Sequence, residues 1–294
     1  MSIAVIGAGK WGSALHFAFS QNFSCKITSK HKRDIPDFVS LEKALACEYL
    51  VMAIPAQVVG TWLRDHFTFN NQKILVAAKG IEQKSGKFLN EIFSEYVPVE
   101  NLSYLSGPSF AYEVMQSLPT AIVINSTNMQ LASKFSSFFP DFMKTYVSDD
   151  VIGAEVCGAY KNVIAIASGI CAGLNLGQNA RASLISRGLV EMARFGRYFG
   201  AEDDTFLGLS GAGDLFLSAS SELSRNYRVG LELAKERKID DILKELGEVA
   251  EGVHTTDAII HLSLESGIYV PIATEVQKII KGKNPNLSLR DLLE

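Results

Sequence analysis

The chain is predicted to be an α/β protein in two parts, a doubly wound domain over residues 1–149 followed by an all-helical domain over residues 150–294. Three observations predict this. Short, nearly continuous apolar runs alternate with helix-like segments through the first half, as in strands covered on both faces. Strand signals stop near Asp150 and helical periodicity takes over, which puts the boundary at Ser148 to Val151. A glycine-rich turn directly follows the first apolar run, and open α/β sheets bind ligands outside the carboxyl ends of their strands.

The first strand is Ile3-Ala4-Val5-Ile6, and the helical segment Ala14 to Phe19 lies beyond the turn Gly7-Ala8-Gly9-Lys10-Trp11-Gly12. Strand, glycine turn and helix in that order form the context of a dinucleotide-binding fingerprint. Gly7 permits the tight turn, Gly9 lets a pyrophosphate reach the backbone, and Gly12 lets the helix pack closely on the strand. The helix N-terminus offers free N–H groups and partial positive charge to the phosphates, which makes Gly7, Gly9, Lys10, Trp11 and Gly12 candidate cofactor contacts.

A second strand covers Cys25 to Ser29. A site for NAD places an acid at this strand's end, and here Lys30-His31-Lys32-Arg33 stands instead. Cations there suit the 2′-phosphate of NADP, so Lys30 and Arg33 are candidate contacts to it. The third strand is Tyr49 to Ile54, ended by Pro55 and followed by a helix from Val58 to Leu63. The fourth, Ile74 to Ala78, ends at Lys79-Gly80 and points Lys79 into the ligand crevice. Gly107-Pro108 breaks the chain after a further strand and turns Ser109 and backbone N–H groups toward the same crevice. Thr120 to Ile124 and Met143 to Val147 read as two more strands.

The second half opens with a helix from about Gly153 to Ala172, mostly small and apolar, and therefore central and buried. Lys161 and Asn162 sit in its middle. The helical neighbours of Lys161 are Cys157, Gly158, Ile164 and Ala165, with Ser168 one turn further, a mainly small face that leaves room for a ligand. A lysine is almost never fully buried unless it is paired or functional. Gly208 to Leu215 reads as a glycine-rich turn presenting the carboxylate of Asp214. Ser224 reads as the N-cap of a helix running to about Arg237, which puts Arg225 and Asn226 in its first turn, a natural anion site. Val249 to Val253 and the segment to Glu294 read as helical.

Composition narrows the partners. A formal net charge of -4 gives no general attraction to nucleic acid or an anionic membrane. No apolar run is read as approaching the roughly 18 residues of a membrane span, and no signal peptide is expected. The 4 cysteines form no C-x-x-C pair and the 5 histidines no H-E-x-x-H motif. The expectation is a reduced, cytoplasmic protein with a small-molecule substrate, without a structural metal, nucleic acid or membrane as partner.

Taken together, Gly7 to Gly12, Ala78-Lys79-Gly80-Ile81, Ser106-Gly107-Pro108-Ser109-Phe110-Ala111, Glu155 to Asn162, Gly211-Ala212-Gly213-Asp214-Leu215, Ser224-Arg225-Asn226 and Val249-Ala250-Glu251-Gly252 carry a resemblance. In order and spacing, across essentially the whole chain, the sequence resembles NAD(P)-dependent glycerol-3-phosphate dehydrogenase of the bacterial type. The resemblance implies a Rossmann-like domain followed by an all-helical one. It implies Lys161 as the proton donor and acceptor, with Lys79 and Asp214 as its active-site partners. It implies Gly107, Ser109, Asn162, Ser224, Arg225 and Asn226 as substrate contacts beside those three. It implies Trp11, Arg33, Lys79, Ala111, Arg225, Val249 and Glu251 as cofactor contacts, NADP or NAD as cofactor, a homodimer, and a role feeding glycerophospholipid synthesis. Two departures stand out: the link from Lys30 to Tyr49 is shorter than usual, and Lys30 to Arg33 does not align cleanly with the family's usual Arg pair.

The expected chemistry is reversible hydride transfer between NAD(P)H and dihydroxyacetone phosphate. A cationic lysine stabilises the charge gathering on the carbonyl oxygen and then supplies the proton. Two nearby lysines are expected to bring one of them toward neutral pH by mutual repulsion. The alternatives are another two-domain dehydrogenase for a hydroxy or keto acid, and a non-catalytic NADP-binding sensor.

Overall fold

The structure is a computed structural model that describes residues 2–247 and 250–288. Its first part holds β1 (Ile3–Ile6), α1 (Lys10–Ser20), β2 (Cys25–Thr28), α2 (Leu41–Leu45), β3 (Tyr49–Met52), α3 (Ala56–His66), β4 (Lys73–Val76), α4 (Leu89–Ser94), β5 (Leu102–Ser106), α5 (Ala111–Met115), β6 (Thr120–Asn125), α6 (Met129–Ser136) and β7 (Met143–Ser148). The strands form one seven-stranded sheet in the order β2-β1-β3-β4-β5-β6-β7.

Side chains alternate across each strand, and here both faces are apolar. Ile3 and Val5 join Leu15, Phe19 and Phe135 in the core beneath α1 and α6, while Ala4 and Ile6 join Val59, Leu63 and Phe93 beneath α3 and α4. Pairing is parallel from β2 through β5, antiparallel between β5 and β6, and parallel again between β6 and β7. The last two strands therefore run against the other five. Direction sets where the ligand edge lies: β1 to β5 all end on the side where Gly7, Lys79 and Gly107 follow them.

The second part is built of α7 (Val151–Gly173), α8 (Gly177–Tyr198), α9 (Asp203–Leu207), α10 (Asp214–Ala219), α11 (Arg225–Leu233), α12 (Ile239–Leu246), α13 (Glu251–Ser266) and α14 (Pro271–Ile280). Asp150 caps α7 by accepting the Gly153 N–H at 2.7 Å. All residues from Gly153 through Cys171 are buried, with the other helices packed around them. Where α11 crosses α7, a Cβ on Gly169 would lie 2.1 Å from the Tyr227 oxygen and one on Gly230 2.1 Å from the Ile166 oxygen. The two backbones touch, and neither position has room for a methyl group.

Four sequence-based expectations change in detail. With 23 residues and few charges, α7 is long and apolar enough to cross a membrane, against the expectation that no run approaches a span, and 89% of its most apolar window is buried inside the protein. The strands β3 and β4 stop at Met52 and Val76, two residues short of the expected Ile54 and Ala78. Gly208 to Leu215 is not a simple turn: Leu209–Gly213 forms a π-helical turn that leads directly into α10. The helix after Ser224 ends at Leu233 rather than near Arg237, since Glu236 takes a left-handed φ of 58°.

Candidate active site

At the ligand edge the glycine turn does what its residues permit. Gly7 has φ 111°, and a Cβ there would lie 2.5 Å from the Ala53 oxygen. A Cβ on Gly12 would meet the Gly7 oxygen at 1.8 Å, so α1 lies hard against the turn. Nothing lies within 4 Å of the Cβ position of Gly9, which is the N-cap of α1 and has no side chain to satisfy the first-turn N–H groups. An open approach to uncapped amides fits a pyrophosphate. Beside it the Trp11 indole donates to the Ala77 oxygen at 3.2 Å, which fixes the ring against the end of β4. Lys10, Lys30 and Arg33 are exposed and Ala111 opens α5. Val249 lies outside the described residues.

The polar centre of the site is Asp214, the first residue of α10 and only 1% exposed. Its Oδ2 accepts from Lys79 Nζ at 2.6 Å, and its Oδ1 accepts from Lys161 Nζ. Lys79 also donates to the Gly107 oxygen at 3.1 Å, and its stem crosses Gly158, whose missing Cβ would stand 3.4 Å from it. The small face read beside Lys161 thus receives the Lys79 side chain from the sheet domain.

Electrostatics follow from burial. Burial pushes the Lys161 ammonium down to a pKa of about 8, opposed by Asp214 and aided by Lys79. The expected direction holds, but desolvation leads and mutual repulsion is secondary. Burial alone would push the Asp214 carboxyl up; the two ammonium groups outweigh it and hold the carboxyl below its usual range.

A second cluster joins three motifs. Asn226 Nδ2 donates to Asn162 Oδ1 at 2.9 Å, Asn226 Oδ1 accepts the Gly252 N–H at 3.0 Å, and Asn162 Nδ2 donates to the Gly158 oxygen at 3.1 Å. Both asparagines are buried, with these groups engaged on protein partners. Ser224 caps α11, accepting the Tyr227 N–H at 3.3 Å, and Arg225 is exposed at the first position of that helix, where it acts electrostatically on Glu251. Burial raises the Glu251 carboxyl, against hydrogen bonds from the Ala56 backbone and Gln57. The Ser109 hydroxyl donates to the Gly107 oxygen at 3.3 Å.

Sequence reasoning passed over Gln57, which receives the Gln83 N–H at 2.9 Å and donates to the Ile81 oxygen at 2.8 Å, tying α3 to the segment after Lys79. It also gave no role to Glu155, whose Oε1 accepts the Asn90 N–H at 2.9 Å and whose carboxyl burial raises well above the usual range. Glu155 stood in a motif; Gln57 had no signal.

Known proteins are similar to this chain along its length. Residues 29–132 match the family model for the N-terminus of NAD-dependent glycerol-3-phosphate dehydrogenase, and residues 150–290 match the one for its C-terminus. The chain belongs to the NAD-dependent glycerol-3-phosphate dehydrogenase family. A glycerol-3-phosphate dehydrogenase [NAD(P)+] of Sulfurimonas denitrificans is 62% identical over 291 residues, 99% of this chain and 98% of the relative. One of Campylobacter jejuni subsp. doylei is 62% identical over 294 residues, 100% and 99% of the two chains. The crystal structure of glycerol-3-phosphate dehydrogenase from Coxiella burnetii superimposes with a TM-score of 0.92 at 30% identity, covering 100% of this chain and 98% of that one. Within the glycerol-3-phosphate dehydrogenase family the order of a sheet domain followed by a helical one is shared along the whole chain.

Proposed function

We propose that the protein catalyses the reversible reduction of dihydroxyacetone phosphate to sn-glycerol 3-phosphate with NAD(P)H, in the cytoplasm and in the service of glycerophospholipid synthesis. The observation that carries the reading is the buried Lys79–Asp214–Lys161 triad, with the open glycine turn on the same edge of the sheet. The four buried free thiols, Cys25, Cys47, Cys157 and Cys171, suit a reducing compartment. We assign residues 1–149 to the cofactor and 150–294 to the substrate and the proton chemistry.

A bound nicotinamide cofactor would supply the hydride. Lys161, charged below pH 8 or so, stabilises the negative charge growing on the carbonyl oxygen and gives that oxygen its proton. Asp214 holds Lys161 and Lys79 together and keeps their charges compensated in a dry site. Ser224, Arg225 and the first turn of α11 hold the substrate phosphate, a group remote from the reacting carbon that positions the carbonyl. Oxidation of NADPH by dihydroxyacetone phosphate, followed by absorbance, tests the reading directly; no turnover with this ketone overturns it.

The phosphate assignment has its own expected result. Wild type strongly prefers dihydroxyacetone phosphate over dihydroxyacetone, and Arg225→Ala loses most of that preference, at about tenfold per 1.4 kcal/mol. Arg225→Lys falls between them, because it keeps the charge and loses the planar fork. The ratio of kcat/KM for the two ketones decides; an unchanged ratio in Arg225→Ala places the phosphate elsewhere.

Cofactor choice is expected to follow the exposed cations after β2. NADPH binds at least as well as NADH, and replacing Lys30 and Arg33 with alanine weakens NADPH by roughly 1.5–3 kcal/mol per lost charged hydrogen bond while leaving NADH nearly untouched. Fluorescence titration with both cofactors checks this, and equal losses refute it.

A further inference from the structure

We propose that Ser106 and Ser210 act as a positioning pair that fixes Asp214 relative to Lys79 and Lys161. This rests on the proposed reaction, because the pair is assigned through its effect on the proton-donating lysine. Ser106 ends β5 in the sheet domain, and Ser210 sits in the π-helical turn of the helical part; they are 2% and 4% exposed. Their hydroxyl oxygens are 2.7 Å apart.

A buried amide orients the pair. Asn125 Nδ2 donates to Ser106 Oγ at 2.8 Å and to the Tyr104 oxygen at 3.1 Å. Ser106 thus accepts from Asn125 and shares a second hydrogen bond with Ser210, in which either hydroxyl can donate. Each end of the pair adjoins a group of the triad. The residue after Ser106 is Gly107, whose oxygen accepts from Lys79. Ser210 precedes Asp214 by about one helical turn. The two segments meet again where the Cβ position of Gly213 stands 3.6 Å from Pro108. A π-helical turn is rare and frequently found at functional sites, and here the hydroxyl pair and the approach to Pro108 tie it to the sheet domain.

Removing one hydroxyl strands its partner in a dry interface, and the turn must shift to satisfy it. A shifted turn carries Asp214 off Lys161, and the lysine loses the one interaction that opposes burial. Its titration then moves to lower pH.

The test uses the full chain with Ser106→Ala, Ser210→Ala and the double variant, reading kcat against pH, NADPH affinity and thermal unfolding. Each single variant should lower kcat about tenfold at pH 7.5, shift the Lys161 limb of the profile to lower pH, and leave NADPH affinity within about twofold. The double variant should lose no more than the worse single, since both remove one interaction. Ser210→Cys, which keeps a weak donor, should recover part of the loss. An unshifted pH profile, or losses that multiply in the double variant, overturns the pair. Failure of the wild type to reduce dihydroxyacetone phosphate overturns the reaction instead and leaves the pH profile undefined, so the two failures are distinct.

Discussion

Lys161→Ala is expected to lower kcat for ketone reduction by at least about 10²-fold, the low end for a lost acid–base group, while NADPH still binds. Lys161 belongs to α7 rather than to the glycine turn, and its ammonium donates to Asp214. Its loss therefore removes a proton and a charge from the transition state and leaves the cofactor cradle intact. Lys79→Ala is the control. Because Lys79 bridges Asp214 and the Gly107 oxygen, its removal should raise KM as well as lower kcat. The pH dependence carries the same assignment. Reduction needs protonated Lys161, so kcat for reduction falls as pH rises through about 8, and kcat for alcohol oxidation rises over the same interval. A Lys161→Ala protein with near-normal kcat makes Lys161 a structural residue.

Asp214→Ala is expected to cost both turnover and stability. It leaves two ammonium groups facing one another in a site where Asp214 was their shared acceptor, and breaking a buried ion pair from one side typically costs about 3–5 kcal/mol. Thermal unfolding should show a marked fall in midpoint. Asp214→Asn is the sharper probe of chemistry. The amide presents an acceptor to one lysine and a donor to the other, and removes the charge that opposes burial at Lys161. The reductive limb should then move below pH 8, so that activity at neutral pH drops and partly returns on acidification. An alanine variant as stable as wild type, or an asparagine variant with an unshifted limb, contradicts the central place given to this carboxylate.

Much of this was legible because apolar runs and glycine spacing are local signals. Ile3 to Ile6 and Tyr49 to Met52 are buried on both sides, and the glycine turn stands where the run ended. The reversed direction of β6 and β7 was not legible, since side-chain period carries no strand polarity. Lys161 stood out because a charge in an apolar helix demands a partner, but Asp214 as the shared partner came from family resemblance; from its own residues it read only as an acid in a glycine turn. The main origin of the lowered Lys161 pKa is not in the sequence for a related reason: repulsion between lysines follows from two motifs, whereas burial needs the packed helices around α7. The serine pair and the asparagine pair were invisible as pairs, because each joins residues far apart in the chain.

The buried length of α7 has a consequence for how the protein is made. Its 23 residues are apolar enough to resemble a membrane segment, and most of the helices packed on it, α8 to α11, α13 and α14, follow it in the chain. During synthesis the segment emerges before its cover, at the moment when the sheet domain ahead of it is already able to form. Exposed apolar surface on a nascent chain invites aggregation and chaperone capture. Ribosome-bound chains carrying a C-terminal linker that places Gly173 just clear of the exit tunnel should therefore be the most chaperone-dependent, and those with Ile280 clear of it the least.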